Sequence, residues 1–124
     1  QRTLSTAGRA QAQAIGERFR EKGIPVAAVR SSRWCRCLDT ARLLGLGEVI
    51  PTPALDSFFR DRSQADARTR AARTLIRDWD GEGTLVLVTH QVNISALVGG
   101  GVGSGDIAVV RPGETGLTRV GWIR

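Results

Sequence analysis

Hydrophobic and polar positions follow two periods along the chain, and their order predicts an α/β protein. Apolar residues recur every three or four positions, as in amphipathic helices, in four segments. These are about 16 residues after Ser5, residues 34–44, the segment that begins at Ser63, and residues 92–98. Short apolar runs of strand length occur at 26–29, 49–55, 84–88, 106–110 and 117–123. Because helices and strands alternate up to the final pair, we expect a three-layer α/β/α sandwich with a mainly parallel sheet and a C-terminal hairpin.

Capping residues, glycines and prolines mark where these elements begin and end. Ser5 is a typical N-cap residue, and Gly23 predicts the end of the first helix. Gly45 predicts the end of the second helix in the same way. Pro51 and Pro53 interrupt the apolar run that contains them. That run is at best an edge strand, because proline cannot donate to a sheet ladder.

Three helices have predicted core faces, and the face of the second helix is expected to contain Trp34, Leu38 and Ala41. The first helix is expected to bury Ala7, Ala10, Ala14 and Phe19. The helix before the strongest strand signal is expected to bury Ala72, Leu75, Ile76 and Trp79. Ser63-Gln64-Ala65-Asp66 at the start of that helix resembles a capping box, with Asp in place of Glu. With 124 residues, the chain is long enough for one core, and we expect a single domain over residues 1–124.

The charge and hydropathy of the chain indicate which classes of binding partner to expect. The net charge is +6, and Lys22 is the only lysine, so nearly all of the positive charge is arginine. The arginines are scattered among acidic residues and tyrosine is absent, which disfavours a nucleic-acid-binding stripe. An arginine-biased surface and an anionic substrate both explain this charge. No apolar run is long enough to span a bilayer, so neither a nucleic acid nor a membrane is expected as a partner.

The cysteines and the histidine are too few for a structural zinc site. The chain has Cys35, Cys37 and one histidine, His90. On a helix, the spacing of the cysteines places them on nearly opposite sides, so both are expected to be reduced thiols. The chain begins at Gln1 without a recognisable signal peptide, and its sequence assigns neither the cytoplasm nor the periplasm.

Candidate catalytic residues follow two of the predicted strands. Arg36 follows the first strand through the 31–36 turn, and His90 and Gln91 follow the 84–88 strand. Ligands of α/β sheets bind beyond the carboxyl ends of the strands. Arginine offers a fork of donors that matches phosphate oxygens, and a histidine can donate a proton to a phosphoryl group or attack it. The pattern therefore predicts a phosphate site that contains Arg36 and His90.

Three segments resemble the histidine phosphatase (phosphoglycerate mutase-like) superfamily. Residues 29–41, Val-Arg-Ser-Ser-Arg-Trp-Cys-Arg-Cys-Leu-Asp-Thr-Ala, resemble the family's strand, its Ser-Ser turn and the arginine that follows. Residues 85–90, Leu-Val-Leu-Val-Thr-His, are similar to its second-histidine strand. Residues 4–12 are similar to its first helix, where Leu-Ser/Thr-x-x-Gly-x-x-Gln-Ala is common. The segments occur in the family's order and span most of the chain.

The resemblance implies a phosphatase with a phosphoglycerate mutase-like fold and a covalent phosphohistidine intermediate. By position, Arg36 is implied to clamp the phosphoryl oxygens and His90 to be the second histidine, so both are expected to be catalytic and substrate-binding residues. Gln91 is expected to line the pocket. No metal and no other cofactor are implied. The expected partner is a small phosphorylated substrate or the phosphate anion.

The chain departs from the family pattern in two places. The family's first strand, which ends in Arg-His-Gly and carries the nucleophile, is missing, and His90 is the only histidine. The resemblance therefore implies a nucleophile upstream of Gln1 and an inactive chain as given. The family's acid is often a Glu two residues after a Leu. Here Asp56 follows Leu55 one position early and Asp61 is too far to align, so the general acid stays unassigned.

A phosphomonoester hydrolase is the leading hypothesis for the function. A mutase fits less well, because there is little room for the long insertions that enclose a sugar phosphate. The alternative is a catalytically inactive phospho-ligand or protein-binding module of the same fold. A basic nucleic-acid binder is a third and weaker alternative. Specificity is expected in the 57–62 and 99–105 loops, whose sequences do not name a substrate.

Overall fold

The chain divides into two compact units. The computed structural model describes residues 4–79, 82–103, 105–113 and 116–123. The first unit comprises Gln1–Pro53 and Gly81–Val88, and the second comprises Ala54–Asp80 and Thr89–Arg124. Each unit has its own helices and strands, and the single domain expected from the sequence stays a prediction.

The first unit is built on a parallel sheet of three strands, β1 (Val26–Ser31), β2 (Val49–Pro51) and β3 (Thr84–Val88). They lie in the order β2-β1-β3, so β1 is central. At the end of β1, Ser31 lies opposite Pro51 of β2 and opposite Val88 of β3. The carboxyl ends of all three strands therefore meet at one edge. The predicted edge strand is confirmed only over Val49–Pro51, and Pro53–Leu55 forms a 3-10 turn instead.

β3 is more exposed than its sequence predicts. Its continuous apolar residues are typical of a strand that is buried inside a parallel sheet. All five residues are nevertheless partly exposed, and within the described ranges β3 pairs with β1 alone. β3 is consequently an edge strand of this sheet that has the side-chain pattern of an interior strand.

Two helices accompany this sheet. α1 (Thr6–Glu21) and α2 (Cys35–Leu44) pack against each other, and α2 also contacts the three strands. As predicted, Ser5 caps α1, and its hydroxyl oxygen accepts a first-turn backbone N–H at 3.0 Å. Gly23 after α1 and Gly45 after α2 have φ angles of 64° and 63°. Glycine adopts this left-handed conformation without a steric penalty, which explains why the helices end there.

The predicted core face of α1 is wrong, because its three alanines are exposed. The exposed members of that face are Ala7, Ala10 and Ala14. The buried residues of α1 are instead Ala12 and Gly16, and Phe19 is half-buried. A Cβ atom at Gly16 would lie 1.9 Å from the Leu44 carbonyl oxygen, so α1 approaches the end of α2 very closely there. A contact made through glycine carries no hydrophobic signal, and the hydrophobic pattern therefore misplaces the buried face.

The second unit contains two helices, α3 (Ala65–Arg77) and α4 (Gln91–Val98), and a hairpin of β4 (Ile107–Gly113) and β5 (Gly116–Ile123). α3 packs against α4 and also contacts both strands of the hairpin. The strands pair in antiparallel register with one bulge. The predicted hairpin is confirmed, and its strands are longer than expected. The middle of the predicted turn, 114–115, lies outside the described residues.

The start of α3 differs from the predicted capping box. A short 3-10 turn, Arg62–Gln64, precedes the helix, and the Asp61 carboxylate caps it by accepting the Ser63 N–H at 3.1 Å. Gln64, the residue before α3, makes no side-chain capping hydrogen bond. The capping box fails because the 3-10 turn occupies the positions that the box would use. The predicted core face of α3 is confirmed, with Ala72 and Ile76 buried and Leu75 half-buried. Trp79 is half-buried as well, but it lies beyond the end of the helix at Arg77.

Gly16→Ala is expected to lower the free energy of unfolding by about 1–3 kcal/mol, because its Cβ would overlap the Leu44 carbonyl group. The higher helix propensity of alanine, about 1 kcal/mol, opposes this loss only in part. Gly8→Ala is the matched control in the same helix, since its Cβ would first meet Leu4 Cδ2 at 3.3 Å, the movable end of a side chain. Urea denaturation measures the difference, and equal stability of the two variants would contradict the close helix contact.

Candidate active site

Hydrogen bonds join the carboxyl ends of the three parallel strands. Ser32 N–H donates to the Val88 carbonyl oxygen at 2.9 Å, and Thr52 N–H donates to the Ser31 carbonyl oxygen at 2.7 Å. The Ser31 hydroxyl donates to the Ser32 carbonyl oxygen at 2.8 Å. Ser31 and Ser32 are both 0% exposed, so these polar groups are buried and hydrogen-bonded together. This is the sheet edge where α/β folds bind their ligands.

Ser32 sets the direction in which the chain enters α2. Trp34 is the N-cap residue of α2 and has extended backbone angles. Its N–H donates to Ser32 Oγ at 3.2 Å, which closes the turn between β1 and α2. The turn places the start of α2 beside the carboxyl edge of the sheet. Backbone N–H groups at a helix start favour anions.

Arg36 lies in the first turn of α2. Its carbonyl oxygen accepts the Thr40 hydroxyl at 2.9 Å, an ordinary contact within a helix. Its side chain is exposed, and among the residues that the structure describes its guanidinium makes no hydrogen bond or ion pair. An exposed guanidinium beside a helix start can bind a phosphate group through two parallel N–H donors.

His90 is the N-cap residue of α4, two positions after the end of β3. Its backbone is extended, with φ −98° and ψ 157°, and its carbonyl oxygen accepts the Ile94 N–H at 3.0 Å. The side chain is half-buried. Gln91 is the first residue of α4, and its side chain is exposed. Both residues therefore lie at a helix start that directly follows a parallel strand.

Two polar side chains next to His90 form contacts that the sequence analysis missed. The Thr89 hydroxyl donates to the Leu55 carbonyl oxygen. Asn93 Nδ2 donates to the Asp56 carbonyl oxygen at 2.9 Å, and Asn93 is only 5% exposed. An amide within the mostly apolar sequence of α4 is the signal that identifies Asn93. Thr89 carries no such signal, because threonine is common at strand ends.

Both carboxylates considered for the general acid have structural partners. Asp56 is 4% exposed, and its Oδ2 lies 3.9 Å from Arg68 Nη1. The Asp61 carboxylate caps the 3-10 turn before α3. Ser57, at the position where the family often has Glu, accepts the Phe59 N–H at 3.1 Å. None of these side chains is assigned as a proton donor.

The structure locates Arg36 and His90 in different units. Arg36 belongs to the first unit and His90 to the second. The strands that precede them, β1 and β3, are neighbours within the first unit and are paired in register up to Ser31 and Val88. That Arg36 and His90 bind one phosphate together stays a prediction, as does a role for Gln91.

The described ranges contain no group of three or more His, Cys, Asp or Glu residues that could hold a metal ion. Cys35 is exposed and Cys37 is buried, and the two do not form a disulfide bond. None of the helices in this part of the chain has the length and apolar character needed to cross a membrane.

A sequence profile of the histidine phosphatase superfamily (branch 1) matches residues 2–63, which is half of the 124-residue chain. This chain belongs to the histidine phosphatase superfamily. The matched segment includes α1, β1, Arg36 and Asp56 and ends before His90. A search of curated proteins finds no significant match.

Solved structures show the same fold as this chain. A phosphoserine phosphatase mutant from Entamoeba histolytica, in complex with phosphoserine, aligns with a TM-score of 0.74 and 14% identity, over 97% of this chain and 83% of its own. The protein histidine phosphatase SixA, complexed with tungstate, aligns with a TM-score of 0.69 and 15% identity, over 98% and 83%. The product of the open reading frame Rv3214 from Mycobacterium tuberculosis aligns with a TM-score of 0.71 and 18% identity, over 95% and 82%.

These similarities confirm the predicted fold class. The chain is a mixed α/β protein with a parallel sheet, as in phosphoglycerate mutase-like phosphatases. The resemblance inferred from the three sequence segments is confirmed as well. Membership of the superfamily supports a phosphatase-type function.

Ser32→Ala is expected to lower the free energy of unfolding by about 1–2 kcal/mol, because the Trp34 N–H loses its acceptor at the start of α2. Ser57→Ala is the matched control, since Ser57 Oγ also accepts the N–H two residues later but in an exposed bond. Its expected cost is within about 0.5 kcal/mol. Chemical denaturation compares the two variants. A loss for Ser57→Ala that equals the loss for Ser32→Ala would contradict a special role for the buried turn.

Proposed function

We propose that this histidine phosphatase is a phosphomonoester hydrolase in which Arg36 and His90 bind the transferred phosphoryl group. The observation that carries the proposal is the parallel pairing of β1 with β3, whose carboxyl ends are in register and directly precede the helix starts of the two residues. A small phosphorylated molecule is the substrate class, and phosphate is the product.

Arg36 is the phosphate clamp in this proposal. Its exposed guanidinium and the N–H groups at the start of α2 can contact the same anion. Charge spreads over the phosphoryl oxygens during transfer, and donors that are already in place stabilise that charge without reorganisation. Lysine cannot supply the same planar fork, so arginine is chemically specific at this position.

His90 is the second phosphate-binding residue. It is two residues beyond Val88, and two residues of extended chain reach at most about 7 Å. Its position along the chain therefore supports a place near the carboxyl end of β3. A protonated imidazole there donates to a phosphoryl oxygen, and Gln91 lines the pocket beside it.

The nucleophile in this proposal is a histidine upstream of Gln1, on the strand that ends in Arg-His-Gly in other family members. His90 is the only histidine in the sequence, and the second edge of β3 has no partner within the described ranges. The upstream imidazole nitrogen attacks phosphorus, an N–P bond forms, and the P–O bond to the leaving alcohol breaks as that oxygen takes up a proton. Water then cleaves the N–P bond and releases phosphate.

A p-nitrophenyl phosphate assay tests this function on the 124-residue chain and on a longer chain that includes the upstream residues. We expect little turnover by the shorter chain, because a covalent mechanism requires a nucleophile in line with the leaving oxygen. In the longer chain, Arg36→Ala is expected to lower kcat/KM by about 100-fold, the usual loss for one transition-state donor, and Arg36→Lys to restore it only in part.

Two outcomes would contradict the proposal in different ways. Robust turnover by the 124-residue chain that His90→Ala abolishes would make His90 the nucleophile. Inactivity of a correctly folded longer chain, with phosphate binding retained, would favour the catalytically inactive binding module of the same fold.

A further inference from the structure

We infer that Thr89 and Asn93 are positioning residues that fix His90 to the 55–56 segment, an inference that rests on the proposed function for the role of His90. The two residues lie on either side of His90, one immediately before it and one three positions after it. Their side chains donate to two consecutive carbonyl oxygens, those of Leu55 and Asp56. All five residues belong to the second unit.

The two hydrogen bonds restrain both translation and rotation of the start of α4. A single bond leaves the start of the helix more freedom to pivot than two bonds that flank His90 in the sequence and reach consecutive carbonyl oxygens. Leu55, Asp56 and Asn93 are 0%, 4% and 5% exposed, and Thr89 is half-buried. Water therefore competes poorly for the two acceptor residues and for the Asn93 donor. Hydrogen bonds are electrostatically stronger in such a low-dielectric setting.

The acceptor segment is itself held in place by α3. Asp56 Oδ2 lies 3.9 Å from Arg68 Nη1, with 6% and 24% of the two side chains exposed. The Asp56 residue therefore uses its carbonyl oxygen to hold Asn93 and its carboxylate to pair with Arg68. The pairing with Arg68 accounts for a buried carboxylate one position before the family's acid position.

The cost of burying Asn93 indicates that it is more than a packing residue. Its Oδ1 is buried and has no hydrogen-bond partner among the described residues. An unsatisfied buried polar atom is unfavourable, and an apolar side chain of similar volume would avoid that cost. The asparagine instead contributes the bond from Nδ2 to the Asp56 carbonyl oxygen, which an apolar side chain cannot make. This bond lies in the first turn of α4, next to the N-cap residue His90.

NMR spectroscopy of the 124-residue chain tests the inference, because His90 is its only histidine and its imidazole signals need no further assignment. The variants are Thr89→Val and Asn93→Leu, which remove the donors while keeping the side-chain volumes. Thr89→Ser keeps the hydroxyl and is the conservative rescue. Ser95→Ala is the matched control in the same helix, since it removes only the Ser95 hydroxyl bond to the Gly100 carbonyl oxygen.

The first measurement is the imidazole spectrum without phosphate. We expect shifts distinct from those of free histidine in the wild type, Thr89→Ser and Ser95→Ala, and collapse toward the free values in Thr89→Val and Asn93→Leu. Backbone signals of α3 remote from the segment report whether each variant is folded. Wild-type shifts equal to those of free histidine, or unchanged imidazole signals in both folded donor variants, would overturn the inference.

The second measurement is a titration with inorganic phosphate followed on the same signals. Thr89→Val and Asn93→Leu are each expected to bind phosphate about threefold to tenfold more weakly than the wild type, the range for one lost hydrogen bond. The two controls are expected to stay within about twofold. Absence of any phosphate response in a wild type with distinct imidazole shifts would overturn the proposed function, while the first measurement would still support the positioning of His90.

Discussion

The parallel pairing of β1 with β3 at their carboxyl ends is the interaction on which the candidate site depends. The Ser32 N–H bond to the Val88 carbonyl oxygen aligns the carboxyl ends of the two strands. Beyond these ends, the chain continues from β1 to α2 and from β3 to α4. A slip of one residue would turn every side chain of a strand to the other face of the sheet. The bonds from the Ser32 N–H to the Val88 carbonyl oxygen and from the Thr52 N–H to the Ser31 carbonyl oxygen oppose such a slip, because they join neighbouring strand ends in the observed register.

Arginine accounts for most of the positive charge, and several arginines have structural partners. Arg20 donates to the Leu44 carbonyl oxygen at 2.9 Å, at the end of α2. Arg119 donates to the Gly99 carbonyl oxygen at 3.3 Å, just after α4, and lies over a tryptophan ring. Arg36 differs from these residues, since its guanidinium has no protein partner in the described ranges. The net charge of +6 is thus a poor guide to function, and the location of one arginine is a better one.

The sequence predicts the elements well where local chemistry decides their ends. Ser5 and Gly45 act through hydrogen bonds and backbone angles of their own segments, and the structure confirms both. The buried face of α1 could not be predicted from the sequence, because the approach of α2 to Gly16 determines it. The capping box failed for a related reason, since a 3-10 turn took its place.

The sequence identifies the two candidate residues, but it does not predict the contacts around them. Arg36 and His90 follow strands that apolar runs identify, and each has the family's motif around it. The bonds of Thr89 and Asn93 to residues 55–56 join segments that are 34 and 37 positions apart in the chain. No spacing rule connects such segments, so the contact requires the folded structure. The same holds for Asp56, whose partner Arg68 is separated from it by the 3-10 turn and the start of α3.

The claim that Arg36 and His90 bind one phosphate is tested most directly by a double-mutant cycle. Phosphate affinity of the wild type, Arg36→Ala, His90→Ala and the double variant can be measured by phosphorus NMR titration. Two residues that contact the same anion are expected to couple, so the loss in the double variant should fall short of the sum of the single losses by about 1 kcal/mol or more. Losses that add within about 0.3–0.5 kcal/mol would contradict a shared site.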